Sequence, residues 1–282
     1  MMRREGLSLA VLIGVLLVAF AGVAGLAPAH SAGTPTPAWA PAATAGIHPG
    51  VQTTTQGSQC TANFIYFDST NVYIGQAAHC SGTGGNTATN GCTSTTLPVG
   101  TQVNVEGASK PGTMVYNSWA TMQSQGEKDA NACQYNDLAL VQLDSADVGN
   151  VNPSVPHWGG PSGLAGGTSF LGQVYTYGNS SLRPIPQLSP KTGLSLGSDS
   201  GGWNQTVYTV TPGIPGDSGS GFLNSNGQAF GVLSTVQLLP LAGANGVGSL
   251  GLELDYLHSH VPALAGVQLA NGTQPFKAGL PL

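Results

Sequence analysis

Charge is scarce in this sequence. Lys and Arg together number 7 and Asp and Glu 12 among 282 residues, for a formal net charge of −5. With no basic patch, nucleic acid is not expected as a partner. The four cysteines, Cys60, Cys80, Cys92 and Cys133, include no C-x-x-C pair, which disfavours zinc; no metal and no organic cofactor is expected. After residue 26 no apolar run is long enough for a membrane-spanning helix. There is no internal repeat, and no alternation of strand and helix of the kind a parallel α/β sheet requires. Although Gly accounts for 42 residues, 40% of the chain is hydrophobic. That is too much for a disordered chain.

What is present begins with an export signal. Arg3 and Arg4 precede an apolar run over residues 7–26, and Ala27-Pro28-Ala29 follows. This order reads as a secretory signal peptide over residues 1–29, cleaved after Ala29. The alternative is a retained membrane anchor through residues 7–26. A secreted monomer without membrane association is expected once the signal is removed. In an exported chain four cysteines point to disulfides, with three pairings open. Residues 30–46, rich in Ala, Pro, Thr and Gly, read as a flexible linker or propeptide.

From Cys60 onward the pattern is one of strands. Runs at 61–67 and 72–77 flank Asp68-Ser69-Thr70-Asn71 as a hairpin, and runs at 102–106, 114–116 and 138–143 follow. A Pro/Gly-rich connection over 151–167 leads to a second series at 169–177, 205–210, 221–223, 229–235 and 249–252. A short helix is expected at about 253–260, stopped by Pro262, and an irregular tail after Gly266. The predicted fold class is therefore all-β: two antiparallel β-barrels packed together, with a short C-terminal helix. Their bounds are 47–150 and 168–264, with a tail over 265–282.

Three segments carry chemistry. In Gly216-Asp217-Ser218-Gly219 the glycines let the backbone turn tightly and aim N–H groups at one point. A serine nucleophile needs such donors for the oxyanion, and a base for its proton. Alone, the tetrapeptide also fits an ordinary turn. In Ala77-Ala78-His79-Cys80 a histidine ends a strand beside a cysteine able to pin it; alone, this fits a core histidine next to a structural disulfide. In Asn136-Asp137-Leu138-Ala139-Leu140 a carboxylate stands at the start of an apolar strand, partly shielded from water. Such a group can hold an imidazole in one tautomer, although a lone aspartate there is more often structural.

Together the three segments resemble the chymotrypsin-like (trypsin-like) serine proteases. That family's histidine motif ends Ala-His-Cys, its aspartate motif reads Asp-(Ile/Leu)-Ala-Leu and its serine motif reads Gly-Asp-Ser-Gly. All three occur here in the family's order, within residues 47–264. The resemblance implies a secreted serine endopeptidase acting on protein or peptide substrates, with His79, Asp137 and Ser218 as catalytic triad. It implies an oxyanion hole from the backbone N–H groups of Gly216 and Ser218, with Asp217 as the buried aspartate beside the nucleophile. Gly231-Val232-Leu233-Ser234 resembles the family's strand after the serine, so Ser234, Thr235 and Val236 are the candidate substrate edge. It also implies a Cys60–Cys80 disulfide flanking the histidine, which leaves Cys92 with Cys133.

The departures bear on specificity and activation. Ser220 replaces the usual Gly, Gln76 stands where Thr is common, and no cysteine near Ser218 braces the primary pocket. Pro212, with Thr211 beside it, occupies the position that often sets the charge of that pocket. No acid is there, so a neutral or small apolar side chain is expected rather than Arg or Lys. Many family members free an amino terminus that pairs with the aspartate beside the serine; Ile47 is the candidate here.

Two rival readings compete. An α/β-hydrolase would take Asp255 with His258 or His260 after Ser218, but Ser220 breaks its G-x-S-x-G elbow. His258 and His260, two apart on a helix, do not share a face and so make a poor metal pair. An inactive homologue acting as a binding module is consistent with Ser220 and the unbraced pocket, and is opposed by the three intact motifs.

Overall fold

The apolar runs at 72–77 and 138–143 become the central strands of a sheet in the computed structural model, which describes residues 36–85, 89–237 and 243–280. The predicted signal segment lies outside the described residues. Strands β1 (Gln52–Thr55), β2 (Ser58–Thr61), β3 (Ile65–Phe67), β4 (Val72–Ala77), β5 (Gln102–Val105), β6 (Gly112–Asn117) and β7 (Leu138–Gln142) make up the first half. The expected hairpin joins β3 to β4, with Ile65 opposite Ile74 and Phe67 opposite Val72. Its turn is held by Asp68, whose Oδ1 accepts the amides of Thr70 at 2.7 Å and Asn71 at 2.8 Å. This is an Asx turn, the local alternative that Asp offers the backbone.

The second half is a closed barrel of six strands in the order β10-β13-β12-β11-β8-β9. They are β8 (Gln173–Tyr177), β9 (Pro190–Asp199), β10 (Asn204–Thr209), β11 (Gly221–Asn224), β12 (Ala229–Gln237) and β13 (Ala244–Ser249). The chain then returns to the first half. β14 (Gln268–Leu269) pairs with β3 and completes an eight-stranded antiparallel sheet, ordered β14-β3-β4-β7-β6-β5-β1-β2. The first half is thus an open half-barrel rather than a closed one. β14 covers the outer edge of β3, and the end of β2 turns to the second half, where the Thr61 amide donates to the Ser218 carbonyl at 2.8 Å.

Among the described residues three α-helices decorate the sheets: α1 (Ser118–Gln125), α2 (Ala130–Tyr135) and α3 (Leu250–His260). The first two were not expected. Their sequences lack an apolar stripe, and their caps account for them. Asn117 accepts the Ala120 amide, Asp129 accepts the Ala132 amide, and Gly126 ends α1 at φ 66°. The strand expected at 249–252 is instead the end of β13 and the first turn of α3. On α3 the buried residues Leu250, Leu254 and Leu257 fall at helical spacing. They join a core shared by both halves, with Phe64 and Tyr66 from the first half and Tyr175, Leu223 and Val232 from the barrel. Disulfides link Cys60 to Cys80 and Cys92 to Cys133.

Candidate active site

His79 lies one residue beyond Ala78, in a 3₁₀ turn that follows the end of β4, and the Cys60–Cys80 disulfide ties this turn to β2. Asp137 stands between α2 and β7 and meets the histidine twice. Its Oδ1 accepts the His79 amide at 2.8 Å and its Oδ2 contacts Nδ1 at 2.6 Å. A carboxylate only accepts, so Nδ1 carries the proton and Nε2 is left with a lone pair. Asp137 is itself fixed on three sides. Its carbonyl accepts the Ala78 amide, its Oδ2 accepts Ser234 Oγ at 2.6 Å, and its amide donates to Glu253 Oε1 at 2.9 Å. Its side chain is 3% exposed, against 25% for that of His79. Burial alone would lower the His79 pKa, but the charge and hydrogen bond of Asp137 outweigh it and raise the pKa above 6.5.

The Ser218 loop is shaped by its neighbours. Ser180 Oγ donates to the Pro215 carbonyl at 2.5 Å. In a trans peptide the carbonyl and the following N–H point opposite ways, so this bond turns the Gly216 N–H away from Ser180. Gly216 has φ 96°, and a Cβ there would lie 2.4 Å from Gln59 Oε1 and 2.9 Å from Ser180 Oγ. Gly219 has φ 88°, and a Cβ there would lie 2.6 Å from the Thr61 carbonyl. Glycine is therefore required at both positions.

Asp217 anchors the loop from below. Its Oδ2 accepts from Arg183, from Lys191 Nζ at 2.6 Å and from the Ile214 amide at 3.2 Å; its Oδ1 accepts the Ser180 amide. The Arg183, Lys191 and Asp217 side chains are no more than 5% exposed. Burial would raise the Asp217 pKa, but the two cations hold it below the ordinary carboxylate value. Ile47, the candidate new amino terminus, does not meet Asp217 in the uncleaved chain. Internal cations already neutralise Asp217. Ile47 is buried within the chain, its amide donating to the Asn150 carbonyl at 3.1 Å.

His79, Asp137 and Ser218 all line one cavity of about 570 Å³. Ser234, Thr235 and Val236 line it too, whereas Thr211 and Pro212 do not; Gly213 and Ile214 form that part of the wall. The Gly213 amide donates to Asn245 Oδ1 at 2.8 Å, which holds the chain there. Ser234 is the bulged residue of β12, lying between the Leu233–Val247 and Thr235–Gly246 pairs. β12 pairs with β11 only as far as Val232, and among the described residues no strand pairs with its cavity edge beyond the bulge. Trp119 packs near His79, ring centroids 6.4 Å apart. The sulfurs of Cys60 and Cys80 lie close to His79, but both belong to a disulfide, which leaves no thiolate to ligate a metal. His258 Nε2 contacts the Val267 carbonyl and His260 stacks on Tyr256, so each is engaged away from the cavity.

Sequence reasoning missed Ser180, Arg183, Lys191 and Glu253. Glu253 was legible as an acid on the apolar stripe of α3. The others pair across 26 to 35 residues with no local pattern.

No protein-family model and no curated protein matches the sequence. Solved structures do. Thermobifida fusca protease A is 18% identical and superposes with a TM-score of 0.52, the match covering 80% of this chain and 99% of that one. A glutamic acid specific serine protease, described as using a histidine triad in substrate binding, is 16% identical with a TM-score of 0.50, over 79% and 100%. This chain therefore has the chymotrypsin-like serine protease fold.

Proposed function

We propose that the protein is a secreted serine endopeptidase in which Ser218 attacks a peptide carbonyl. His79 Nε2 takes the Ser218 proton as the bond to the carbonyl carbon forms. Asp137 keeps the ring in the required tautomer and stabilises the imidazolium. The Gly216 and Ser218 amides donate to the oxyanion. His79 then protonates the leaving amine; water attacks the acyl-enzyme while giving its proton to the same ring, which returns it to Ser218 Oγ as the acid product leaves. The observation that carries the reading is the Asp137-held imidazole on the wall of the cavity that Ser218 also lines.

The cavity edge of β12 at Ser234, Thr235 and Val236 supports an extended peptide as substrate, added through main-chain hydrogen bonds. The disulfides support an oxidising, extracellular location after removal of residues 1–29. A serine-directed fluorophosphonate is the test. The wild-type protein is expected to be labelled at Ser218 and to cleave casein, and Ser218→Ala to lose both. A folded wild-type protein that neither labels nor cleaves would leave the reading without support.

A further inference from the structure

Glu253 has no part in the mechanism above, yet it is fully buried on the stripe of α3 that carries Leu250, Leu254 and Leu257. A carboxyl in such a place is costly unless it is bonded. Its Oε1 accepts the Asp137 amide at 2.9 Å, while its Oε2 has no hydrogen-bond partner among the described residues. Room for Oε1 is kept by Gly248, where a Cβ would lie 2.7 Å from it and 2.9 Å from the Tyr135 carbonyl.

We propose that Glu253 is a positioning residue for the triad: its Oε1 holds the Asp137 backbone, and through it the carboxylate that orients His79. The inference rests on the reading of His79, Asp137 and Ser218 as catalytic. Asp137 carries both contacts to the histidine, so a shift of its backbone is passed directly to the imidazole.

The charge state of Glu253 fits this role. Burial pushes its carboxyl up to about 8, the Asp137 charge adding to the effect and the Asp137 amide opposing it. It is therefore neutral at pH 7, and Asp137 is the carboxylate that acts on His79. The ionisable groups that bear on Glu253 from other elements are Asp137 before β7, Tyr116 on β6 and Tyr66 on β3, none of them a cation. α1, β12 and β13, which also pack on α3, carry no ionisable side chain. When Glu253 ionises, its charge meets Asp137 unopposed and activity falls.

Two variants and two readouts test this. Glu253→Ala removes the acceptor; its kcat is expected to fall by about tenfold or more, since small misplacements of catalytic groups cost that much. Its KM should be little changed, because the loss belongs to the transition state. Glu253→Gln keeps an acceptor for the Asp137 amide and cannot ionise. It should retain most of the kcat at pH 7 and lack the alkaline step near 8 that Glu253 ionisation is expected to give the wild type. The second readout, the NMR titration of the His79 Nδ1 proton, does not depend on turnover. Its midpoint should move in Glu253→Ala. Wild-type kcat and an unmoved His79 titration in folded Glu253→Ala would overturn the proposal, as would an alkaline step that persists in Glu253→Gln. If Glu253→Ala does not fold, the Glu253→Gln profile decides. A wild-type protein without hydrolysis defeats the protease reading instead, and the His79 titration still judges the positioning role.

Discussion

At the scale of single residues, the opposed effects on His79 make its pH behaviour informative. Desolvation disfavours the imidazolium and Asp137 favours it, and Asp137 prevails, raising the pKa above 6.5. General-base action needs the neutral ring. Activity should therefore rise with pH through a midpoint above 6.5. In Asp137→Asn the raising charge is gone and the burial cost remains, so the midpoint should move down. At the same time kcat should drop by about 10⁴-fold, because an amide that donates to Nδ1 selects the wrong tautomer. Rates of a chromogenic peptide substrate between pH 5 and 8 measure both effects. An unshifted midpoint in the variant would mean that Asp137 does not set the charge of His79. The raised pKa also links to folding. Stability gained from the protonated ring is fully present below the unfolded value of about 6.5 and is lost as pH rises through the folded pKa.

At the scale of elements, what was legible in the sequence followed local pattern. The β3–β4 hairpin shows apolar runs around an Asx turn, and the Ser, His and Asp segments are contiguous motifs. β1 was hidden because Gln52, Thr53, Thr54 and Thr55 carry no apolar signal. β9 was hidden because Pro190, Gly193 and Gly197 interrupt it, and because its buried positions include Lys191, Thr192 and Ser195. Lys191 is inward because of Asp217, a partner 26 residues away that no periodicity reveals. The trio it forms has one anion and two cations, an imbalance that predicts unequal variants. Asp217→Asn leaves Arg183 and Lys191 buried together without an anion and should destabilise by about 3–5 kcal/mol. Lys191→Met leaves Arg183 and Asp217 as a balanced pair. It also removes a cation whose own pKa is lowered, chiefly by burial and further by Arg183, so its cost should be about 1 kcal/mol or less. Urea midpoints at pH 7 compare the two, and equal losses would contradict the charge imbalance. In the wild type, the contribution of Asp217 is present above the unfolded carboxylate value of about 3.9 and is lost as pH falls through its lower folded value.

At the scale of the whole molecule, the tail expected to be irregular acts as a strap between the halves. β14 pairs with β3, and the Ala270 amide donates to the Ile65 carbonyl at 2.9 Å, both in the first sheet. A few residues later the tail grips the connection between the halves. The Gly160 amide donates to the Gln274 carbonyl, the Gly272 amide to the Pro161 carbonyl and the Lys277 amide to the Trp158 carbonyl. Phe276 then meets Tyr175 of the barrel edge to face, centroids 5.2 Å apart, and packs over Gly227, where a Cβ would clash with it at 2.4 Å. One segment thus ties the open sheet to the closed barrel on a surface that none of the cavity-lining residues share. Ending the chain at Gly266 removes every one of these ties and leaves the Ser218 cavity wall intact. The halves should then unfold with less cooperativity, seen as a lower urea m-value or two separate transitions, since m reports the surface exposed in one step. Phe276→Ala removes a half-buried ring and should lower stability by about 2 kcal/mol with the transition still single, a fraction of the full cost of emptying an aromatic site. Fluorescence and circular dichroism followed in parallel make the distinction. Coincident, unshifted transitions in the truncated chain would show that the two halves are held together without the tail.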